Sequence, residues 1–152
     1  ASGVALLARG HRRLRVVHQV IDYAVLDLAA PAEGKTSALP KPLLRPGLMN
    51  FFMSCYLVDR AQARDPLASP LLASVEQLRG LPPTTLITAE YDLLRAEGQA
   101  YAARLRQAGV AVQERMFAGC DHMFTHLGPD ESAEQAWQLI EDSLRNAFAE
   151  SA

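Results

Sequence analysis

A chain of 152 residues has room for one domain with a buried core, since a chain of that size hides roughly two-thirds of its unfolded surface on folding. Its make-up is ordinary for a globular protein, 49% hydrophobic and 21% charged, and a net charge of -2 gives no reason to expect nucleic acid as a partner. Cys55 and Cys120 are too few for a disulfide framework, although a single bridge stays open, and without an apolar run of about 18 residues no membrane span is expected. No signal peptide is visible, so the expected location is cytoplasmic.

In chain order, Ala1 to Ala8 reads as a short helix that ends near Gly10. The basic cluster Arg9, His11, Arg12, Arg13 and Arg15 reads as a solvated helix end or loop. Val16 to Ile21 is β-branched with little alternation, which predicts a strand covered on both faces. Residues 29 to 42 hold Pro31, Gly34, Pro40 and Pro42 and are loop. Leu44, Leu48, Phe51, Phe52, Cys55 and Tyr56 recur at helical spacing, with the firm helix starting at Pro46. Asp65-Pro66 and Ser69-Pro70 make residues 59 to 73 loop again.

The second half is more regular. Thr84 to Ala89 predicts a strand after Pro82-Pro83. A helix follows over Ala96 to Ala108, with Ala100, Ala103, Leu105 and Ala108 as its expected inner face and Gly109 as its C′ glycine. Val110 to Phe117 alternates and predicts a strand near an edge. Residues 119 to 129 are loop. The last helix, Ser132 to Phe148, sets Ala136, Leu139, Ile140, Leu144 and Phe148 on one stripe. Strands alternating with helices predict an α/β fold with a parallel sheet.

The chemistry sits after the strands. Asp92 follows the strand ending at Ala89, and His122 follows the strand ending at Phe117. In a parallel sheet both loops open on the rim at the carboxyl ends of the strands, where ligands gather. An acid and a histidine there can form the orienting pair of a nucleophilic triad; a structural histidine is the plainer alternative. His122 and His126 stand four apart, the spacing of a helical metal pair, but no clear third ligand accompanies them. Ala29 to Thr36 half-matches a phosphate-binding loop. Ala29 stands for its first glycine, Pro31 lacks an N–H, and Pro40 and Pro42 oppose a following helix.

Three segments carry a resemblance. Asp65-Pro66-Leu67-Ala68-Ser69-Pro70-Leu71 has the form DPxxSPL. Gly80-Leu81-Pro82-Pro83 precedes Thr88-Ala89-Glu90-Tyr91-Asp92-Leu93-Leu94-Arg95-Ala96-Glu97-Gly98. Gly119-Cys120-Asp121-His122-Met123-Phe124 is similar to GxxHGF. Together they resemble the hormone-sensitive-lipase-type α/β-hydrolases, in register from about residue 16 onward. The resemblance implies the C-terminal half of that fold, a single partial domain over residues 1–152 with a loop and pocket-helix insertion at 29–73. It implies Asp92 as triad acid, His122 as triad base and a structural role for Glu97. It also places Met49, Phe51, Phe52, Tyr56 and Leu57 on the helix that lines the acyl pocket, with Met123 beside it.

No G-x-S-x-G elbow exists in the chain. Ala1-Ser2-Gly3-Val4-Ala5 instead resembles the stretch that follows the family's serine. The nucleophile would then lie immediately before residue 1, and Ala1 would give one backbone N–H to the oxyanion hole. A processed longer chain, a chain split at a modified serine and a natural half-protein all fit this. Three positions depart from the family pattern: Met123 for glycine, Ala24 for proline, and Asp22 for a buried apolar residue. The expected function is a serine carboxylester hydrolase of short- to medium-chain acyl esters, without metal or organic cofactor, this chain alone being inactive. Its expected partners are the small-molecule ester and a missing N-terminal half or a second copy, since the strand at 16 to 21 would present an open apolar edge. The alternative is a non-catalytic α/β module that binds a ligand or partner.

Overall fold

The structure, a computed structural model, describes residues 1–151. Its elements run α1 (Ser2–Ala8), β1 (Gln19–Asp22), α2 (Pro46–Tyr56), α3 (Val75–Leu78), β2 (Thr84–Ala89), α4 (Arg95–Gln107), β3 (Val112–Phe117), α5 (Phe124–Leu127) and α6 (Asp130–Ala149). Short 3₁₀ turns occupy Ala32–Gly34, Arg60–Arg64 and Pro70–Leu72 inside the two expected loops. The strands form one parallel sheet in the order β1-β2-β3, the α/β arrangement that the alternation implied. β2 is central and every residue in it is buried. β3 is exposed along much of one face, as its alternating sequence requires.

Both outer strands start later than expected, for separate reasons. β1 pairs with β2 from Gln19 opposite Thr84. The residues just before Thr84 are Pro82 and Pro83, which have no N–H to give. The ladder therefore stops there, and Val16 to His18 run as irregular chain. At the other edge, Val110 belongs to the end of α4. Its N–H bonds the Leu105 carbonyl at 3.0 Å, and the N–H of Gly109 (φ 78) bonds that of Arg106 at 3.0 Å. This is a Schellman motif, closed by Val110 and Leu105 within one core cluster. β3 can begin only at Val112.

The inner face of α4 is rotated from the one expected. Gly98, Tyr101, Ala102 and Leu105 are buried with Glu97, whereas Ala100 and Ala103 face solvent. Alanine fits either environment, so the alanines did not mark the phase; the large Tyr101, fully buried, does. On α6 the buried line is Ala136, Ser143 and Ala147, while Phe148 is exposed. That helix starts at Asp130, where Asp130 and Glu131 suit its N-terminal dipole. The short helix α5 forms inside the expected loop at 119 to 129, and α3 forms in a stretch, 74 to 81, for which no element is expected. α3 carried a legible signal: Ser74 Oγ accepts from the Gln77 N–H at 3.2 Å and Gln77 Oε1 from the Ser74 N–H at 2.8 Å, a capping box.

The segment over 29–73 is fastened to this frame by buried polar ties. Glu97 Oε1 accepts from the Leu26 N–H at 3.1 Å, and Oε2 takes the Lys35 ammonium, which also bonds the Asp27 carbonyl at 2.8 Å. Burial pushes the Glu97 carboxyl up, against the pull of that ammonium. Lys35, the lysine of the half-matched phosphate loop, is thus committed to Glu97. Ser69 Oγ donates to the Ala63 carbonyl at 2.6 Å and accepts from Leu28 N–H at 2.8 Å. Around these ties Leu28, Leu44, Met49, Met53, Leu93 and Leu94 form a separate apolar cluster. Cys55 is exposed, Cys120 buried, and both are free thiols. No helix among the described residues is long and apolar enough to cross a membrane.

α4 lies so close on β2 that a Cβ at Gly98 would stand 2.7 Å from Thr88 Cγ2. Helix propensity alone would favour Gly98→Ala by about 1 kcal/mol. Crowding against a stiff, buried β-branched side chain costs about 1–3 kcal/mol. The clash is expected to win, leaving Gly98→Ala less stable than wild type by up to about 2 kcal/mol in urea unfolding; a higher midpoint would refute this packing.

Candidate active site

β2 and β3 end level with each other, Ala89 opposite Phe117, so the chain leaves both on the same rim. After β2 it turns at once. The Tyr91 N–H bonds the Cys120 carbonyl at 2.9 Å and the Arg95 N–H bonds the Asp92 carbonyl at 3.2 Å, which opens α4. Asp92 is only 3% exposed. Its Oδ1 accepts from the Leu94 N–H at 2.9 Å, which leaves Oδ2 for another donor. After β3 the Gly119 N–H bonds Glu90 Oε2 at 2.7 Å, and Asp121 Oδ1 accepts from the His122 N–H at 2.7 Å. Asp121 Oδ2 accepts from the Leu43 N–H at 2.6 Å, pinning this loop to the start of the pocket segment.

These two turns bring Asp92 Oδ2 and His122 Nδ1 to 2.7 Å. A carboxylate that accepts from Nδ1–H fixes the imidazole in the tautomer whose Nε2 is free to take a proton. No hydrogen bond engages Nε2 among the described residues. The ring of Tyr23, just after β1, stands edge-on to the imidazole with centroids 4.9 Å apart.

His122 opens on an apolar cavity of about 570 Å³, lined also by Tyr23, Met49, Phe52, Met53, Tyr56 and Leu94. Met49 is buried in its floor, while Phe52 and Tyr56 are 54% and 68% exposed. Three pocket residues expected from the sequence, Met49, Phe52 and Tyr56, therefore line it. Met123 does not: it holds a left-handed turn (φ 63) after His122, outside the lining. Phe51 and Leu57 lie outside it too. Met53 and Tyr23 were missed, although Met53 stands one helical turn from Met49 and Tyr23 follows a strand on the same rim as Asp92.

Ala1 is the N-cap of α1, with its carbonyl bonded to the Ala5 N–H at 3.0 Å. It borders a second cavity of about 330 Å³ with Gly3 and Asp22. That cavity shares Val25, Tyr56 and Ala68 with the first, so Ala1 lies next to the space before His122, although it is not among the residues that line it. Ser2 is buried. The paired spacing of His122 and His126 builds no helical metal face: His122 precedes α5, and the two Nδ1 atoms are taken by different partners.

Asp22 ends β1 half-buried. Its Oδ2 accepts from Thr125 Oγ1 at 3.3 Å, and its buried Oδ1 meets no donor among the described residues. Burial pushes this carboxyl up from 3.8 to about 6, against the opposing pull of Thr125 and nearby histidines.

Known proteins match this chain closely. A family model described as alpha/beta hydrolase fold matches residues 1–126. An arylesterase of Saccharolobus solfataricus is 31% identical over 153 residues, which cover 97% of this chain and 47% of that protein. An ethyl acetate hydrolase of Pseudomonas putida is 33% identical over 128 residues, 84% of this chain and 40% of that protein. Among solved structures, a thermostable carboxylesterase cloned from a metagenomic library has a TM-score of 0.85 at 34% identity, over 97% of this chain and 50% of that one. The chain spans about half the length of the relatives it matches.

Asp22 generates a test of its own. The folded chain holds its proton more tightly than the unfolded chain, so the protonated carboxyl favours folding. That contribution is full below pH 3.8 and lost as pH rises through about 6. A full conversion of the shift would give about 3 kcal/mol, and partial exposure reduces it to about 1–2 kcal/mol. Asp22→Asn is expected to be more stable than wild type by that amount at pH 7.5 and equal to it near pH 4. Urea midpoints across this range check it, and parallel wild-type and variant curves would contradict it.

Proposed function

This chain belongs to the alpha/beta hydrolase fold family, in its hormone-sensitive-lipase-like branch, and on that premise we propose that it is the acid- and base-bearing part of a serine carboxylester hydrolase acting on short- to medium-chain acyl esters. The observation that carries the reading is the Asp92–His122 pair at 2.7 Å, facing an apolar cavity of about 570 Å³. A cavity of this size and lining suits a small ligand with a modest apolar group.

In this reading a serine immediately before Ala1 attacks the ester carbonyl through Oγ, and its proton passes to His122 Nε2. The carbonyl oxygen becomes an oxyanion, to which the Ala1 N–H donates one hydrogen bond. Collapse breaks the bond to the alkoxy oxygen, and His122 returns its proton to the leaving alcohol. Water then attacks the acyl-enzyme with His122 again as base, releasing the acid and restoring the serine. Asp92 holds the imidazole in place and stabilises its charged form in each half-reaction. Met49, Met53 and Phe52 receive the acyl group. The partners of this chain are the ester and the serine-bearing half, or a second copy that covers the open edge of β1.

Alone the chain is expected to be inactive, since removing a triad serine costs about 10⁶ in rate in serine proteases. Intact mass with and without a fluorophosphonate probe tests the proposal, on this chain and on the protein recovered from its own source. The 152-residue chain should take no adduct. A heavier native protein should take one, and its Asp92→Asn variant should lose about 10⁴ in kcat. A native protein of this mass without an adduct would replace the esterase by a non-catalytic binding module.

A further inference from the structure

One hydrogen bond does not fix an imidazole plane. The χ2 torsion of histidine is broad, so Asp92 holds Nδ1 while the ring can still swing about that bond. The direction of Nε2 depends on what touches the ring elsewhere, and a small misalignment of a reacting group is costly in rate.

The second contact comes from β1. Tyr23 stands edge-on to the His122 ring at 4.9 Å and 63°, and edge-on to Phe124 at 6.0 Å. It does so from a left-handed backbone conformation, φ 34. Met123, directly after His122, is the other non-glycine residue at positive φ among the described residues. A tyrosine persists in such a conformation only where its surroundings over-determine it. Here they do. The Tyr23 hydroxyl bonds Thr125 Oγ1 and lies 3.1 Å from His126 Nδ1. Thr125 is buried, donates to Asp22 Oδ2 at 3.3 Å, and its carbonyl accepts from Trp137 Nε1 of α6 at 3.0 Å. The end of β1 is thereby tied to α5, the helix that His122 itself leads into, and the loop of contacts closes around the imidazole.

We propose that Tyr23 is a positioning residue for His122, and that Thr125 is the anchor through which the end of β1 sets the Tyr23 ring against the imidazole. The proposal deepens the esterase reading and rests on it for the role of His122. Its test reads the imidazole itself and needs no serine.

The readout is the His122 Nδ1–H shared with Asp92, a far-downfield proton NMR line of the 152-residue chain, assigned by its loss in Asp92→Ala. Its rate of exchange with water reports how firmly the ring is held. Tyr23→Phe keeps the ring and removes the hydroxyl, and is expected to speed exchange about tenfold, the loss of one hydrogen bond of ordinary net worth. Thr125→Val, of the same shape without the hydroxyl, should do the same, and Thr125→Ser should restore the wild-type rate. Unchanged exchange in Tyr23→Phe and Thr125→Val, with wild-type amide signals from β2 and β3, would overturn the proposal. So would a Thr125→Ser variant as fast as Thr125→Val. If Tyr23→Phe fails to fold, the two Thr125 variants decide alone. A negative esterase assay leaves this result standing, and a negative result here leaves the esterase assay standing.

Discussion

The level ending of β2 and β3 is the constraint on which the site depends. Because Ala89 stands opposite Phe117, the two turns that follow begin side by side, and Asp92 and His122 need only one turn each to meet. A shift of one residue between parallel strands would move one loop by about 3.3 Å, more than the length of the hydrogen bond between the pair. Everything that holds this register therefore holds the chemistry: the Schellman end of α4 that delivers β3, the close seat of Gly98 on Thr88, and the wholly buried β2.

The pocket is a separate construction fastened to that frame. Its floor is carried by α2, which is joined to the sheet on both sides by irregular chain with few backbone bonds of its own. Buried ties replace them: Glu97 and Lys35, and Ser69 between Leu28 and Ala63. The acid that opens α4 is thus a bracket for the cavity wall. A buried ion pair is weak evidence for stability, yet breaking one partner is expensive, so such a pair serves definition of shape.

Much of this was legible in the sequence, and the failures have physical causes. The strand-then-acid and strand-then-histidine order pointed to one rim because parallel strands leave no other geometry. Gly109 and Pro46 marked the end of α4 and the start of α2 because those residue types are favoured at those backbone positions. The face of α4 was misread because alanine carries no burial preference strong enough to set a phase. The starts of β1 and β3 depended on prolines just before the partner strand and on a helix cap, neither visible within the strand itself. Tyr23 and Met53 belong to the cavity through packing between distant segments, which no local pattern records. The proximity of Ala1 to the cavity came from resemblance, and the structure places it beside the space rather than in it.

The sheet also carries a history of assembly. β2, α4 and β3 follow one another directly, so their contacts close short loops. β1 reaches β2 across 65 residues, between Gln19 and Thr84, more than twice the distance along the chain from β2 to β3. Each doubling of a loop adds only about 0.6 kcal/mol to the entropy of closing it, but long-range pairing comes late because that cost precedes its reward. The unit that bears Asp92 and His122 is therefore expected to form first, with the cavity wall added to it afterwards. On that order, nucleation would belong to the half of the sheet that bears the Asp92–His122 pair, and the half that walls the cavity would condense upon it.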